Sequence, residues 1–388
     1  MSSHGKDTPM ADHHLLKKTP VDLGRLSLSE WDELAEHLDI MPGILQRIRR
    51  AVFLQGIPSL SRMDDLPSDV RQKLAGKVIL HDSRLKSLTR SSDGSLKLTL
   101  LLHDDHLAET VIIPERKEGS IKKCAVSISS QVGCFFGCSF CATGQMGFNR
   151  NLSTRELADQ VRLAIRTAEE EKIAPVTHLY FMGMGEPMHN YRAVSDLITL
   201  IESGEAPGPD PSRITISTVG LYRQIGMLAS DHPKVKLAVS IHSANQEKRK
   251  EIMPISARLP LADIRQAIAR HQRLTGHRVT LQYLLLDGVN DSPDDAAALV
   301  RFIGNLNINI TLIMYNDVAG CRVRRTDIEK MESFRNVLVR AGHPVDVRWC
   351  RGEDIFAGCG QLQVSASRKR TNMSIRSNAT DRQPDAGS

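Results

Sequence analysis

Ala125-Val126-Ser127-Ile128-Ser129-Ser130 runs through Gln131-Val132-Gly133 into Cys134-Phe135-Phe136-Gly137-Cys138-Ser139-Phe140-Cys141, a short apolar run followed at once by three closely spaced cysteines. The first stretch reads as a β-strand, and Gly133 and Gly137 allow the backbone after it to fold tightly. Outward from it, strand-like runs recur at His178 to Met182, Arg213 to Thr218, Lys236 to Ile241, Val279 to Leu285, Ile308 to Met314 and Val345 to Arg348. Amphipathic segments such as Thr154 to Glu171, Tyr191 to Ile201 and Leu261 to Leu274 lie between them. Strands alternating with helices predict an α/β chain with a parallel sheet, here a partial TIM-like (β/α)6 barrel. Such barrels carry their chemistry at the C-terminal ends of the strands, where the cysteines fall.

The residues before the barrel are organised differently. Leu34, Leu38, Leu45, Ile48, Val52 and Leu60 recur at helical spacing, with Ser27 and Pro67 near helix starts, so residues 20–80 predict a small helical accessory domain. Leu85 to Thr89 and Leu96 to Leu102 flank the turn-forming Ser91-Ser92-Asp93-Gly94, and Glu109 to Pro114 follows. Residues 81–120 are thus expected as a β-hairpin extension with a third strand, ahead of a core at 121–364. The polar ends, 1–19 and 365–388, contain too few apolar residues to pack and are expected to be disordered.

The 388 residues are 41% hydrophobic and 25% charged, as in a globular enzyme. No apolar run approaches the roughly 20 residues that cross a bilayer, and no secretory h-region opens the chain. A cytoplasmic protein without membrane partner is expected. The cytosol keeps thiols reduced, so seven cysteines point to metal binding or catalysis rather than a disulfide framework. A net charge of +6 is compatible with a polyanionic partner, while 4% aromatics argue against recognition mainly by base stacking.

Three thiolates within eight residues suit an iron–sulfur cluster or zinc, zinc then needing a distant fourth Cys or His. The C-x-x-x-C-x-aromatic-C spacing looks like the radical S-adenosylmethionine (SAM) signature, in which Cys134, Cys138 and Cys141 bind three irons of a [4Fe-4S] cluster and the fourth iron chelates SAM. Ser129-Ser130-Gln131-Val132-Gly133-Cys134 and Gly147-Phe148-Asn149-Arg150-Asn151-Leu152 narrow the resemblance to the RlmN/Cfr family of RNA adenosine methyltransferases. Gly183-Met184-Gly185-Glu186-Pro187, Leu237-Ala238-Val239-Ser240-Ile241-His242 and Gly358-Cys359-Gly360-Gln361-Leu362 extend it over most of the chain.

The resemblance implies a radical-SAM barrel and an RNA-binding role for the helical domain. It places SAM against Gly185, Glu186, Ser217, Ser240, Ile241, His242 and Asn316. It implies two SAM per turnover, one methylating Cys359 and one cleaved to a 5′-deoxyadenosyl radical that takes hydrogen from the methylcysteine. The carbon radical then adds to an adenosine ring carbon, C2 being expected, and Glu109 accepts the proton lost, with Glu115 as a second candidate. Ribosomal or transfer RNA is the implied partner, with a reductant such as flavodoxin, and the protein is expected as a monomer. Cys359, between two glycines, is expected in a mobile loop; Cys321 and Cys350 are expected to be structural, and the basic Arg368, Lys369 and Arg370 to be solvated.

The chain departs from the family at two places. The family's second catalytic cysteine, which releases the product through a transient disulfide, is here Ser127, and serine forms no disulfide. Cys124 can replace it only if a bulge or shifted strand start turns it to the same face, because an offset of three on a regular strand points the other way. Asn316-Asp317-Val318-Ala319-Gly320 lacks the family's proline-rich continuation. These departures leave open a radical-SAM enzyme with a non-RNA substrate, or a non-catalytic RNA-binding paralogue.

Overall fold

The computed structural model describes residues 20–362 apart from 118, 119, 317, 319 and 350. The expected disordered ends, Cys350 and the basic run Arg368 to Arg370 lie outside the described residues.

The accessory domain opens with β1 (Val21–Asp22) and α1 (Leu28–His37). Ser27 accepts from the Glu30 amide and Glu30 from the Ser27 amide, a reciprocal cap that fixes where α1 begins. Trp31, Leu34 and Ala35 bury its inner face. α2 (Pro42–Arg50) starts on a proline, buries Ile44, Leu45 and Ile48, and runs into a π-helical turn at Ala51–Gln55. α3 (Ser68–Leu74) leads to β2 (Val78–Ile79), which pairs in parallel with β1 and closes the unit on itself. The arginines of α2 mostly hold the fold together: Arg49 meets Glu205 at 2.7 Å, and Arg50 donates to the Gly204 carbonyl at 3.0 Å.

The extension is β3 (Arg84–Arg90), β4 (Leu96–Leu101) and β5 (Leu107–Lys117), joined antiparallel. β5 turns back into β6 (Ser120–Ile128), so the expected hairpin is continuous with the barrel sheet. After β6, the short antiparallel pair β7 (Gln131–Gly133) and β8 (Phe148–Asn151) brackets the cysteines and α4 (Ala142–Gln145).

The winding then becomes regular. α5 (Thr154–Glu170) leads to β9 (His178–Phe181), α6 (Tyr191–Glu202) to β10 (Ile214–Thr218), and α7 (Tyr222–Asp231) to β11 (Lys236–Ser240). α8 (Gln246–Ile252) and α9 (Leu261–Thr275) precede β12 (Val279–Leu285); α10 (Pro293–Ile303) precedes β13 (Ile308–Met314), and α11 (Ile328–Arg340) precedes β14 (Val345–Arg348). The sheet order is β14-β13-β12-β11-β10-β9-β6-β5-β4-β3, parallel from β6 to β14. Its two edges, β14 and β3, do not pair, so the barrel is partial, with the three antiparallel strands widening one side.

Sheet and helices bury one large core that includes Leu157, Val161, Ile198, Ile225, Ile264, Leu299 and Phe334 against the outward side of the strands. Burial of this apolar surface is the main source of stability, and it fixes which strand residues face inward. Two smaller apolar clusters lie inside the sheet, one around Phe140, Leu284 and Tyr315, the other around Val111, Ile113 and Leu362. No described helix is long and apolar enough to cross a membrane.

Candidate active site

The inward side encloses a cavity of about 1260 Å³, including its open mouth, at the C-terminal ends of the parallel strands. Cys134, Cys138, Cys141, Gly185, Glu186, Ser217, Ser240, His242 and Cys359 line it. Nine of the residues expected from sequence thus share one wall-to-wall site.

Backbone bonds from distant segments hold the cysteine loop. The Cys134 amide donates to the Gly147 carbonyl at 3.0 Å, and the Ser139 amide to the Ile252 carbonyl at the end of α8 at 2.9 Å. Gly133 sits at φ 74°, and a Cβ there would lie 1.8 Å from the Gly147 oxygen, so no larger residue fits. Phe140 packs edge-on against His242, ring centroids 5.1 Å apart. Burial pushes the Cys134 thiol up to about 12 and raises those of Cys138 and Cys141 too, and the three influence one another electrostatically. Such thiols ionise only with strong cationic compensation, which metal binding supplies. Among the described residues no three His, Cys, Asp or Glu side chains gather as the ligand set of a single ion. Three thiols on one cavity wall are a donor set suited to a thiolate-held iron–sulfur centre.

Successive strand ends furnish the adjoining wall. Gly185 adopts φ 91°, and a Cβ there would meet the Gln131 side chain at 2.5 Å. Glu186, 4% exposed, accepts from the Val219 amide at 2.8 Å and the Met188 amide at 3.0 Å. Burial pushes its carboxyl up to about 7, with the bonds from Val219, Thr218 and Met188 opposing that rise. Ser217 and Ser240 both donate to the Gln282 Oε1, at 2.7 and 3.1 Å. His242, in the left-handed region at φ 53°, accepts the Leu284 amide on Nδ1 at 3.0 Å, and that bond places its proton on Nε2. Burial and the nearby Arg249 push its pKa down to about 3, so the ring is neutral.

Ile241, Asn316 and Glu109 do not line the cavity. The Ile241 side chain is fully buried in the large core, while its carbonyl accepts from Arg249. Asn316 is buried and bonded by Arg325 at 2.8 Å, and its Nδ2 has no partner among the described residues. The altered segment after it falls partly outside the described residues.

The third wall comes from the extension and the C-terminal loop. Val111, Ile113 and Ser127 line the cavity, and Val111 pairs with Ser127 across β5 and β6. Glu109 lies on the same face of β5, 3% exposed, with Oε1 3.2 Å from the Lys97 Nζ. Pairing is regular from Ser127↔Val111 to Cys124↔Pro114, without the bulge needed to turn Cys124 inward. Cys124 therefore faces the helix-side core, fully buried, with burial and Glu115 pushing its thiol up to about 11. Cys124 thus lacks the bulge it would need to face Cys359, and the described cysteines form no disulfide.

Cys359 is exposed, and the loop that carries it is hydrogen-bonded to the segment after the cysteine triad. The Gly360 carbonyl accepts the Ala142 amide at 2.7 Å, and the Leu362 carbonyl accepts the Thr143 hydroxyl at 2.7 Å. Upstream, the Asp93 carboxylate takes the Gly352 amide at 2.9 Å, and Asp354 takes the Ser91 hydroxyl at 2.5 Å and the Ser92 amide at 2.9 Å.

Four residues of this site escaped the sequence reading. Gln282 joins Ser217 to Ser240, and as a polar residue in an otherwise apolar strand it carried a signal. Lys97 reaches Glu109, and Arg348 lines the mouth. Arg249 is fully buried and donates to the carbonyls of Ile241, Leu259 and Val219 at 3.1, 3.2 and 2.7 Å, binding three loops beneath the cavity.

Comparison with known proteins agrees with this architecture. Residues 128–301 match the Radical SAM superfamily. The dual-specificity RNA methyltransferase RlmN of Anaeromyxobacter dehalogenans is 37% identical over 345 residues, covering 88% of this chain and 91% of its own. A second protein of that name, from another Anaeromyxobacter strain, is 36% identical over 345 residues, covering 88% and 90%. The crystal structure of a radical SAM methyltransferase from Sphaerobacter thermophilus superposes with a TM-score of 0.78 at 35% identity, over 89% of this chain and 99% of that one. With a cysteine triad, a buried Glu186 and Cys359 around one cavity, the chain belongs to the RlmN family of the radical SAM superfamily.

Proposed function

We propose that this protein methylates an adenosine ring carbon of ribosomal or transfer RNA, C2 being expected, with Cys359 as the methyl carrier. The observation that carries this reading is that Cys134, Cys138, Cys141, Glu186 and Cys359 line a single cavity. An adenine ring carbon is too poor a nucleophile for direct displacement on a sulfonium, so a thiol carrier and radical chemistry belong in one site.

Cys134, Cys138 and Cys141 would hold a [4Fe-4S] cluster, which when bound would supply the electron for reductive cleavage of SAM. Glu186, once ionised, pairs with the SAM ammonium; Gly185 leaves room for the methionine end, and Ser217, Ser240 and His242 contact the rest. Ile241 and Asn316 act from behind this wall. Cys359, as thiolate, would attack the methyl carbon of a first SAM, forming the new carbon–sulfur bond at Sγ as the sulfonium bond breaks and S-adenosylhomocysteine leaves. A radical from a second SAM would take hydrogen from that methyl, the carbon would add to the adenine, and the adduct would return one electron to the cluster as it loses its ring proton. Release then needs a thiol from solution to attack Sγ of Cys359, breaking the carbon–sulfur bond as a mixed disulfide while the freed carbon takes a proton. Glu109, on the same face of β5 as the cavity-lining Val111 and Ile113, accepts the ring proton. A cytoplasmic monomer served by a flavodoxin-like reductant completes the proposal.

Ser127 on the cavity wall favours a second reading, the same chemistry on a non-RNA substrate, because the disulfide release used by the family has no thiol at that position. The test is anaerobic reconstitution with deuterated-methyl SAM and total RNA, followed by nucleoside mass spectrometry. Deuterated 2-methyladenosine is expected. Release of 5′-deoxyadenosine with no methylated adenosine in any RNA overturns the RNA reading.

A further inference from the structure

Lys97 lies on β4, register-paired with Val111 of the cavity wall, with a side chain only 13% exposed. Its ammonium meets two oxygens among the described residues. One is the Glu109 carboxylate, at 3.2 Å; the other is the Phe356 carbonyl, at 3.3 Å. Phe356 stands three residues before Cys359 and holds a left-handed φ of 52°, a conformation that a non-glycine residue keeps only when its surroundings impose it. The carbonyl that Lys97 grips therefore belongs to the strained corner from which the Cys359 loop departs.

From this geometry we infer that Lys97 is a positioning residue: one buried ammonium fixes the Glu109 carboxylate and the Cys359 loop relative to each other. The inference rests on the roles given above to Glu109 and Cys359. Lysine suits the task because its ammonium offers three donors, enough for a carboxylate and a carbonyl at once. A buried carboxylate deprived of its cation is strongly disfavoured, so Glu109 and Lys97 hold each other in place. The neighbouring bonds from Asp93 and from Ser91 and Ser92 pin the same loop at Gly352 and Asp354, and Lys97 adds a contact at Phe356, three residues before the thiol.

The test compares the full chain with Lys97→Met, Lys97→Arg, Glu109→Gln and the Lys97→Met/Glu109→Gln pair. In Lys97→Met, kcat for methyl transfer is expected to fall about tenfold or more with the RNA KM within about twofold, and Lys97→Arg to recover most of the loss. Iodoacetamide labelling of Cys359, followed by peptide mass spectrometry on cluster-free protein, should quicken about threefold or more in Lys97→Met and not in Glu109→Gln. Thermal unfolding separates a folding defect: the paired variant, having no stranded carboxylate, regains the midpoint without regaining kcat. An unchanged Cys359 labelling rate in folded Lys97→Met, or a kcat that Lys97→Arg leaves low, overturns the assignment. Full turnover in Glu109→Gln overturns the reading of Glu109 alone, and the labelling rate then still decides whether Lys97 braces the loop.

Discussion

On one side of the cavity, Glu186, Ser217, Ser240 and His242 each stand at or just beyond the end of a strand, and the strands are neighbours in the sheet. On the other, Cys359 lines the cavity while Lys97 and Glu109 stand behind its wall; they come from a C-terminal loop and an antiparallel extension, brought together by side-chain bonds spanning 259 to 263 residues. The first side inherits its geometry from the barrel, since parallel pairing sets the height of every strand end. The second has to be built contact by contact. A barrel can thus keep its cofactor chemistry while the reaction it serves changes with an edge extension and a loop.

The largest effect should come from opening each side separately. Cys138→Ala is expected to leave the anaerobically reconstituted protein without a four-iron absorbance and without SAM cleavage. Cys359→Ala should keep both and lose methyl transfer about a thousandfold or more. Loss of the iron chromophore in Cys359→Ala would break the separation of the two sides.

Next comes the frame beneath the strand ends. Arg249→Met leaves three buried carbonyls without their donor, and a loss of about 3 kcal/mol or more in urea unfolding is expected. Asp354→Ala, on the exposed loop, should leave the unfolding midpoint nearly unchanged. Equal midpoints for the two variants would erase the contrast.

The smallest effect concerns protons. With Glu186 pushed up to about 7, the carboxyl is protonated at acid pH, and a SAM ammonium needs the ionised form. SAM affinity of the wild type is therefore expected to weaken about tenfold per pH unit as pH falls below about 7, and Glu186→Gln to flatten that dependence. Calorimetric titration at several pH values checks it, and a flat wild-type profile rules the role out.

The barrel was legible because its strands are short apolar runs separated by amphipathic helices, and the cysteine spacing marked one strand end. The rule that a three-residue offset reverses the face also told correctly what Cys124 would need, and the regular pairing of β5 with β6 denied it. What stayed hidden has no periodicity. Lys248-Arg249-Lys250 looks like a solvated charge run, yet its middle member is the one that is buried. Lys97 in Leu96-Lys97-Leu98 looks like the polar position of a half-exposed strand. The β7–β8 pair is too short to announce itself, and the bonds from Asp93 and from Ser91 and Ser92 join residues that nothing local connects.

Those bonds also set an order of events. A contact across some 260 residues closes only after the chain between its ends has largely collapsed, because the entropy of so long a loop must first be offset by the structure inside it. The loop that carries Cys359 is therefore expected to dock only once much of the barrel between its anchors has formed.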